Sequence, residues 1–218
     1  MTLIPSLNEE ASIGTVITAA LRHTSHVLVA DDGSSDDTSS IAERSGAVVI
    51  KHKRKMGQGA ALRSGFCYAI ENDLDIVVTL DADGQHDPSY IENFIRPIIQ
   101  GKADFVVGSR FKSGYYELSL KTVAIKFFTV LTRLLTGLQV SDVTCGFRAI
   151  RVSTLKKMRI TQPQFSAPEL LIEAWKRRLR IVEIPVRIFK RRFGLSKKRL
   201  MAYSFGLLLA VLQTRFRS

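Results

Sequence analysis

Two carboxylates one residue apart, Asp81 and Asp83, stand at the end of the apolar run Ile76-Val77-Val78-Thr79-Leu80, and the amide of Gln85 follows two positions on. Oxygen donors at this spacing suit a hard divalent cation, Mg²⁺ or Mn²⁺, of the kind that accompanies a phosphate-bearing substrate. A β-branched run of this length reads as a buried strand. Its carboxylates then emerge at the carboxyl edge of a sheet, where open α/β sheets bind ligands. The plainer reading of the same residues is a solvated acidic turn ahead of a helix that starts near Pro88. A second segment repeats the arrangement. Val27-Leu28-Val29-Ala30 ends in Asp31-Asp32-Gly33-Ser34-Ser35-Asp36-Asp37-Thr38, where Gly33 suits a tight turn and Ser35 or Asp36 can cap the next helix. A carboxylate there can accept from a base N–H or from ribose hydroxyls. Two strands that each end in paired carboxylates, separated by helix-like stretches, predict one cleft shared by a cation and a nucleotide.

The elements that must position these groups alternate along the chain. Strands are predicted near Thr2–Pro5, Val27–Ala30, Ala47–Ile50, Asp75–Leu80, Asp104–Gly108 and Ile181–Val186. Helices are predicted near Glu9–His23, Asp37–Ser45, Gly57–Glu71 and Pro88–Gln100. This order implies an α/β fold with a mostly parallel twisted sheet and helices on both faces. At 218 residues, without repeats or a linker, the chain is long enough for one full core. Over about 117–138 the apolar positions Leu120, Ala124, Phe127, Phe128, Leu131, Leu134, Leu135 and Leu138 follow helical spacing. Thr122, Lys126, Thr129, Arg133 and Thr136 fall on the opposite stripe, which predicts an amphipathic helix able to lie in a membrane interface or to pack on the sheet. The apolar run Leu200–Leu212 has basic flanks but is far short of the roughly twenty residues that span a bilayer. With Tyr203 and Phe205 it suits an interfacial helix, so the expected division is a catalytic domain over 1–199 and a membrane-associated helix over 200–218.

Charge is unevenly placed. The net charge is +12, yet residues 1–109 carry 9 Lys+Arg against 15 Asp+Glu, while residues 110–218 carry 23 against 5. An acidic half able to hold a cation, joined to a basic half, suits a cation–diphosphate substrate beside a second anionic partner such as a membrane surface. Nucleic acid is the competing partner. Against it, the paired carboxylates repel phosphates, and aromatic residues do not interleave with basic runs such as Lys190-Arg191-Arg192. Cys67 and Cys145 form neither a metal motif nor a disulfide framework, which fits a reducing compartment. No signal peptide is read at the start, where Met1-Thr2-Leu3-Ile4-Pro5 runs directly into the first strand.

Seven segments, in order, resemble the inverting family 2 glycosyltransferases of the GT-A fold, and within them the branch of dolichol-phosphate mannose synthases. They are Pro5-Ser6-Leu7-Asn8-Glu9-Glu10; Asp31-Asp32-Gly33-Ser34; Lys55-Met56-Gly57-Gln58-Gly59-Ala60; Asp81-Ala82-Asp83-Gly84-Gln85-His86; Gly108-Ser109-Arg110; Asp142-Val143-Thr144-Cys145-Gly146-Phe147-Arg148-Ala149; and Arg192-Phe193-Gly194-Leu195-Ser196-Lys197. Together they span nearly the whole chain. The resemblance implies a Rossmann-like GT-A sheet in which Pro5, Leu7, Glu9, Ala30 and Asp32 contact the donor nucleoside. It places Asp81, Ala82 and Asp83 by the diphosphate, with Asp83 and Gln85 holding Mg²⁺ or Mn²⁺. Arg110 and Arg148 would meet the phosphate of the acceptor, and Arg192 with Lys197 or Lys198 would close over the donor phosphates. Lys55 stands for the cation of the basic loop, where Lys51, Lys53 and Arg54 are alternatives. Leu7 departs from the family, which often has an aromatic residue there, and the first strand is abbreviated.

These implied roles make Asp83, Arg110 and Arg148 the catalytic set of a metal-dependent enzyme, peripheral to the cytoplasmic face of a membrane. The expected reaction carries mannose from GDP-mannose to a polyprenyl or dolichyl phosphate. Transfer from UDP-glucose, or to a saccharide or protein hydroxyl, is the alternative. A lipid phosphate is ionised near neutral pH and needs no base, whereas a hydroxyl needs one. Asp142 is the carboxylate nominated for that task, its other reading being a structural partner of Arg148. Paired arginines suit a phosphate because a guanidinium binds its oxygens bidentately.

Overall fold

The computed structural model describes residues 1–114, 119–189 and 200–217. In chain order the elements are β1 (Thr2–Ser6), α1 (Ile13–Ala20), β2 (Val27–Asp31), α2 (Thr38–Arg44), β3 (Val48–Lys51), α3 (Gln58–Glu71), β4 (Ile76–Thr79), α4 (Ile91–Ile99) and β5 (Phe105–Ser109). They continue with α5 (Leu120–Thr136), β6 (Arg148–Arg151), α6 (Val152–Leu155), α7 (Ser166–Lys176), β7 (Ile181–Pro185) and α8 (Leu200–Phe216). Short 3₁₀ turns precede α4 over Pro88–Tyr90 and follow β5 over Phe111–Ser113.

The strands form one sheet in the order β3-β2-β1-β4-β6-β5-β7. Every position of β1, β2 and β5 is buried, which requires cover on both faces and explains their unbroken apolar runs. The edge strands β3 and β7 are partly open. From β1 the chain steps outward to β2 and β3, then returns to pair β4 on the other flank of β1. The reversal of winding opens a crevice between the carboxyl ends of β1 and β4. Leu3 of β1 lies under α3 so closely that a Cβ on Gly65 would collide with its methyl groups. On the far half of the sheet, Phe94 of α4 stacks on Phe147 with ring centroids 4.2 Å apart.

β6 is absent from the sequence reading. Its four residues, Arg148-Ala149-Ile150-Arg151, lack an apolar run, and it enters the sheet antiparallel between β4 and β5. The remaining pairings are parallel, so the sheet is mostly parallel as expected. Because β6 runs backwards, its first residue stands at the edge where its neighbours end: Arg148 is level with Thr79 of β4 and Val107 of β5.

The helix expected over 117–138 forms as α5, but its faces differ from the expectation. Thr129 and Thr136, assigned to a polar stripe, are buried, as is Thr132. Thr136 donates to the Thr132 carbonyl at 2.6 Å and Thr129 accepts from the Val143 amide, so hydroxyls are tolerated inside. Ile125 and Phe128 share that inner face. The outer face carries Leu120, Val123, Phe127, Val130 and Leu134, all exposed. α8 lies against α5 and α7, burying Leu207, Ala210, Val211 and Thr214. Its last turn is latched to α7 by Arg217, which donates to Glu169 at 3.1 Å and to Glu173 at 3.0 Å, both buried carboxylates. Among the described residues no helix is long and apolar enough to cross a membrane.

Candidate active site

The carboxyl ends of β1, β2, β4 and β5 and the amino end of β6 bring most of the expected residues to one edge. A cleft there is lined by Pro5, Gln58, Asp81, Thr144, Arg148 and the segment 164–168. Asp81 leaves β4 into this cleft, where Gln58 Nε2 donates to its Oδ1 at 3.4 Å and His86 Nδ1 lies 3.6 Å from its Oδ2. A Cβ on Gly146 would sit 2.8 Å from both Asp81 oxygens, so a larger residue there would push the carboxylate aside. Ala82 between the two acids is buried. Asp83 Oδ1 accepts from the Gln85 amide at 3.1 Å. Gln85 is braced in turn by Phe189: its Nε2 donates to the Phe189 carbonyl at 3.1 Å, and its own carbonyl accepts from the Phe189 amide at 2.9 Å.

Asp83 and Gln85 thus sit on one turn with a carboxylate and an amide oxygen to offer, a hard-oxygen pair that fits Mg²⁺ or Mn²⁺. Among the described residues no group of three or more His, Cys, Asp or Glu could hold a metal. A cation held by this pair would need further ligands from outside the protein, such as phosphate oxygens or water.

On the donor side, Asp31 is fully buried and ties the turn after β2: it accepts from the Ser34 amide at 2.8 Å and from the Ser34 and Ser39 hydroxyls. Asp32 reaches across to the basic loop, accepting from the amides of Met56 at 2.8 Å and Gly57 at 2.7 Å. His52 Nδ1 lies 3.0 Å from the same carboxylate, and its Nε2 lies 2.9 Å from Ser64 Oγ. Gly57 has φ 105°, and a Cβ there would run into the Pro163 carbonyl. Asp32 is therefore the anchor of the loop, while Lys51, Lys53, Arg54 and Lys55 are all exposed along it. Leu7 and Glu9 are half-buried. The Glu9 amide donates to Thr38 Oγ1 at 2.8 Å, and Asn8 (φ 52°) accepts from the Ser35 amide at 2.9 Å, which stitches the turn after β1 to that after β2. Burial pushes the Asp36 carboxyl up, but hydrogen bonds from Thr38 and the Glu10 amide outweigh it and hold the group below the usual range. Ala30 is enclosed, level with Pro5 of β1 and Ile50 of β3.

The two arginines differ in setting. Arg110 follows β5 and donates from Nε to Asp142 Oδ2 at 2.6 Å, with its side chain 13% exposed. Asp142 is 0% exposed, and its Oδ1 accepts from the amide and hydroxyl of Thr144. The carboxylate nominated as a base is thus bound on both oxygens, and its partner is Arg110, not Arg148. Arg148 is 1% exposed although it lines the cleft. Its three nitrogens donate to the main-chain carbonyls of Cys145, Ala167 and Val143. Gln58, His52, Thr144 and the segment 164–168 were not among the sequence candidates. Gln58 and Thr144 fall within quoted motifs that assign them no role; His52 and the segment 164–168 carry no local signal. Arg192, Lys197 and Lys198 lie outside the described residues.

The model of one protein family, Glycosyl transferase family 2, matches residues 2–159, most of the chain. The chain belongs to that family. This glycosyltransferase is 32% identical over 220 residues to the UDP-N-acetylglucosamine–dolichyl-phosphate N-acetylglucosaminyltransferase of Methanococcus voltae, an alignment covering 89% of the chain and 87% of the relative. It is 28% identical over 213 residues to the polyprenol monophosphomannose synthase of Mycolicibacterium smegmatis, covering 90% of the chain and 80% of the relative. Among solved structures, glucosyl-3-phosphoglycerate synthase from Mycobacterium tuberculosis, in complex with Mn²⁺, UDP and phosphoglyceric acid, superposes with a TM-score of 0.80. That match covers 99% of the chain and 78% of the neighbour at 23% identity, and it shows the GT-A fold of the transferase.

Proposed function

We propose that this glycosyltransferase carries a sugar, mannose from GDP-mannose in the first instance, to a polyprenyl or dolichyl phosphate at the cytoplasmic face of a membrane. One observation carries the reading: Asp142 is buried and bound on both oxygens by Arg110 and Thr144. An acceptor that dispenses with a base is one already ionised, and a phosphate monoester loses its second proton near pH ~6. The relatives from Methanococcus voltae and Mycolicibacterium smegmatis, whose names specify a dolichyl phosphate and a polyprenol monophosphate product, support the same acceptor class.

In this reading Pro5, Leu7, Glu9, Ala30 and Asp32 form the nucleoside side of the cleft. Asp81, Ala82 and Lys55 face the diphosphate together with Arg192, Lys197 and Lys198, while Asp83 and Gln85 hold Mg²⁺ or Mn²⁺. A bound cation offsets the charge that gathers on the departing nucleoside diphosphate. Arg110 orients the acceptor phosphate and Arg148 fixes the wall behind it. A phosphate oxygen attacks the anomeric carbon from the face opposite the diphosphate, the bond from that carbon to the diphosphate oxygen breaks, and configuration inverts. The exposed Leu120, Val123, Phe127, Val130 and Leu134 of α5, bordered by Lys126 and Arg133, support docking on an anionic leaflet. Residues 1–199 are then the catalytic domain and 200–218 a membrane-associated helix.

A second reading keeps the acceptor and changes the donor to a UDP-linked sugar, favoured by the donor in the name of the Methanococcus voltae relative. The deciding experiment supplies labelled GDP-mannose, UDP-N-acetylglucosamine or UDP-glucose in turn, with polyprenyl phosphate in detergent and Mg²⁺ or Mn²⁺. Label in organic-extractable lipid that disappears with EDTA is the expected result, and the better donor names the sugar. Label that passes only to added saccharide or protein would overturn the lipid acceptor.

A further inference from the structure

Glu183 stands mid-way along the edge strand β7 with its side chain only 4% exposed, and it has no part in the chemistry described above. Its Oε1 accepts from the Ser141 amide at 2.6 Å, the Ser141 hydroxyl at 2.9 Å and the Asp142 amide at 3.1 Å. Its Oε2 meets Lys112 Nζ at 3.1 Å. Lys112 lies two residues beyond Arg110, and Ser141 directly precedes Asp142. The two segments are also joined by the hydroxyls of Ser109 and Ser141, 2.7 Å apart, and by the Lys112 amide donating to Ser109 Oγ at 3.2 Å. The contacts close a ring: Glu183 to Ser141 and Asp142, Asp142 to Arg110, Arg110 along the chain to Lys112, and Lys112 back to Glu183. Each member is far in sequence from its partner across the ring, so nothing local holds the segments in register.

We infer that Glu183 is the positioning residue of the acceptor site, acting through Asp142 and Lys112 to aim the Arg110 guanidinium; the inference rests on the reading that Arg110 meets the acceptor phosphate. A carboxylate suits the task because every group facing it is a donor: two amides and a hydroxyl on one oxygen, an ammonium on the other. An amide in its place keeps an oxygen for Ser141 and Asp142 but turns an NH₂ toward Lys112. A methyl group keeps neither anchor. The three variants Glu183→Ala, Glu183→Gln and Lys112→Met therefore form a graded series, with the alanine variant the most severe and the other two similar to each other.

The test is steady-state transfer with a short polyprenyl phosphate in detergent, acceptor and donor varied separately, in these variants, in Arg110→Ala, and in Arg110→Ala/Glu183→Ala. Glu183→Ala should lower kcat/KM for the acceptor about tenfold or more, as expected when an orienting group is displaced, with the donor KM changed less than about twofold. Combined with Arg110→Ala it should add nothing, because both changes remove one unit. A general loss of structure would lower kcat with both KM values unchanged, because only the folded fraction turns over, and would add to Arg110→Ala; either result overturns the inference, and the glutamine and methionine variants decide it if the alanine variant folds poorly. If Arg110→Ala leaves kcat/KM for the acceptor unchanged, the acceptor role of Arg110 falls and the inference falls with it. If Arg110→Ala lowers that value and the Glu183 and Lys112 variants do not, only the inference falls.

Discussion

Asp83 and Asp142 are both acidic, both beside the cleft, and opposite in consequence. Asp83 shares a turn with Gln85 and is only half-buried, whereas Asp142 is sealed against Arg110 and Thr144. Asp83→Ala should therefore lower kcat by about a hundredfold or more, the range seen when electrostatic stabilisation of a leaving group is lost. Its thermal unfolding should stay within about 2 °C of wild type, because a half-buried side chain hydrogen-bonded within its own turn contributes little to stability. Activity retained in this variant would remove Asp83 from the metal site. The two cysteines give a separate check on burial. Burial pushes the Cys145 thiol up to about 12, while Cys67 is exposed. A thiol reagent at pH 8 should label one cysteine in the native protein and two after denaturation; two fast-reacting thiols in the native state would contradict the burial of Cys145.

At the scale of elements, α5 and α8 carry what distinguishes the second half of the chain. The outward row of α5 repeats at seven-residue steps, Leu120 to Phe127 to Leu134 and Val123 to Val130, which keeps it on one side of a helix. Phe127→Glu together with Leu134→Glu should abolish co-sedimentation with anionic vesicles and leave the unfolding midpoint nearly unchanged, since both side chains already face solvent. Unaltered vesicle binding would separate this face from the membrane. The latch between α7 and α8 answers to stability instead. Arg217→Ala leaves the buried carboxylates of Glu169 and Glu173 without one of their cations, a loss of about 3 kcal/mol for a buried pair broken on one side. Urea unfolding measures it, and a change under about 0.5 kcal/mol would show that the latch holds nothing.

For the whole molecule, the sheet edge opposite the cleft is joined by Asp104 and Arg180, which link the starts of β5 and β7. Hydrogen bonding from the Arg180 side chain holds the Asp104 carboxyl below its usual range, aided by the charge of Arg151. A depressed carboxyl contributes its stability above the unfolded value of about 3.9 and loses it as pH falls through the folded value. Asp104→Asn should thus be less stable than wild type at pH 7 by a small margin, with the two midpoints converging below about pH 4. A gap that widens on acidification would reverse the assigned sign. Across the molecule the sequence alone determined the order of the motifs, the strand that delivers Asp81 and Asp83, and the split between an acidic and a basic half. Each of these is local: an apolar run predicts a strand, and the residues after it lie at its end. Only the tertiary structure decided that Arg148-Ala149-Ile150-Arg151 is a central strand, that Asp142 binds Arg110, that Asp32 anchors the basic loop, and which side of α5 faces outward. Those outcomes depend on partners tens of residues away, which no local pattern of residues names.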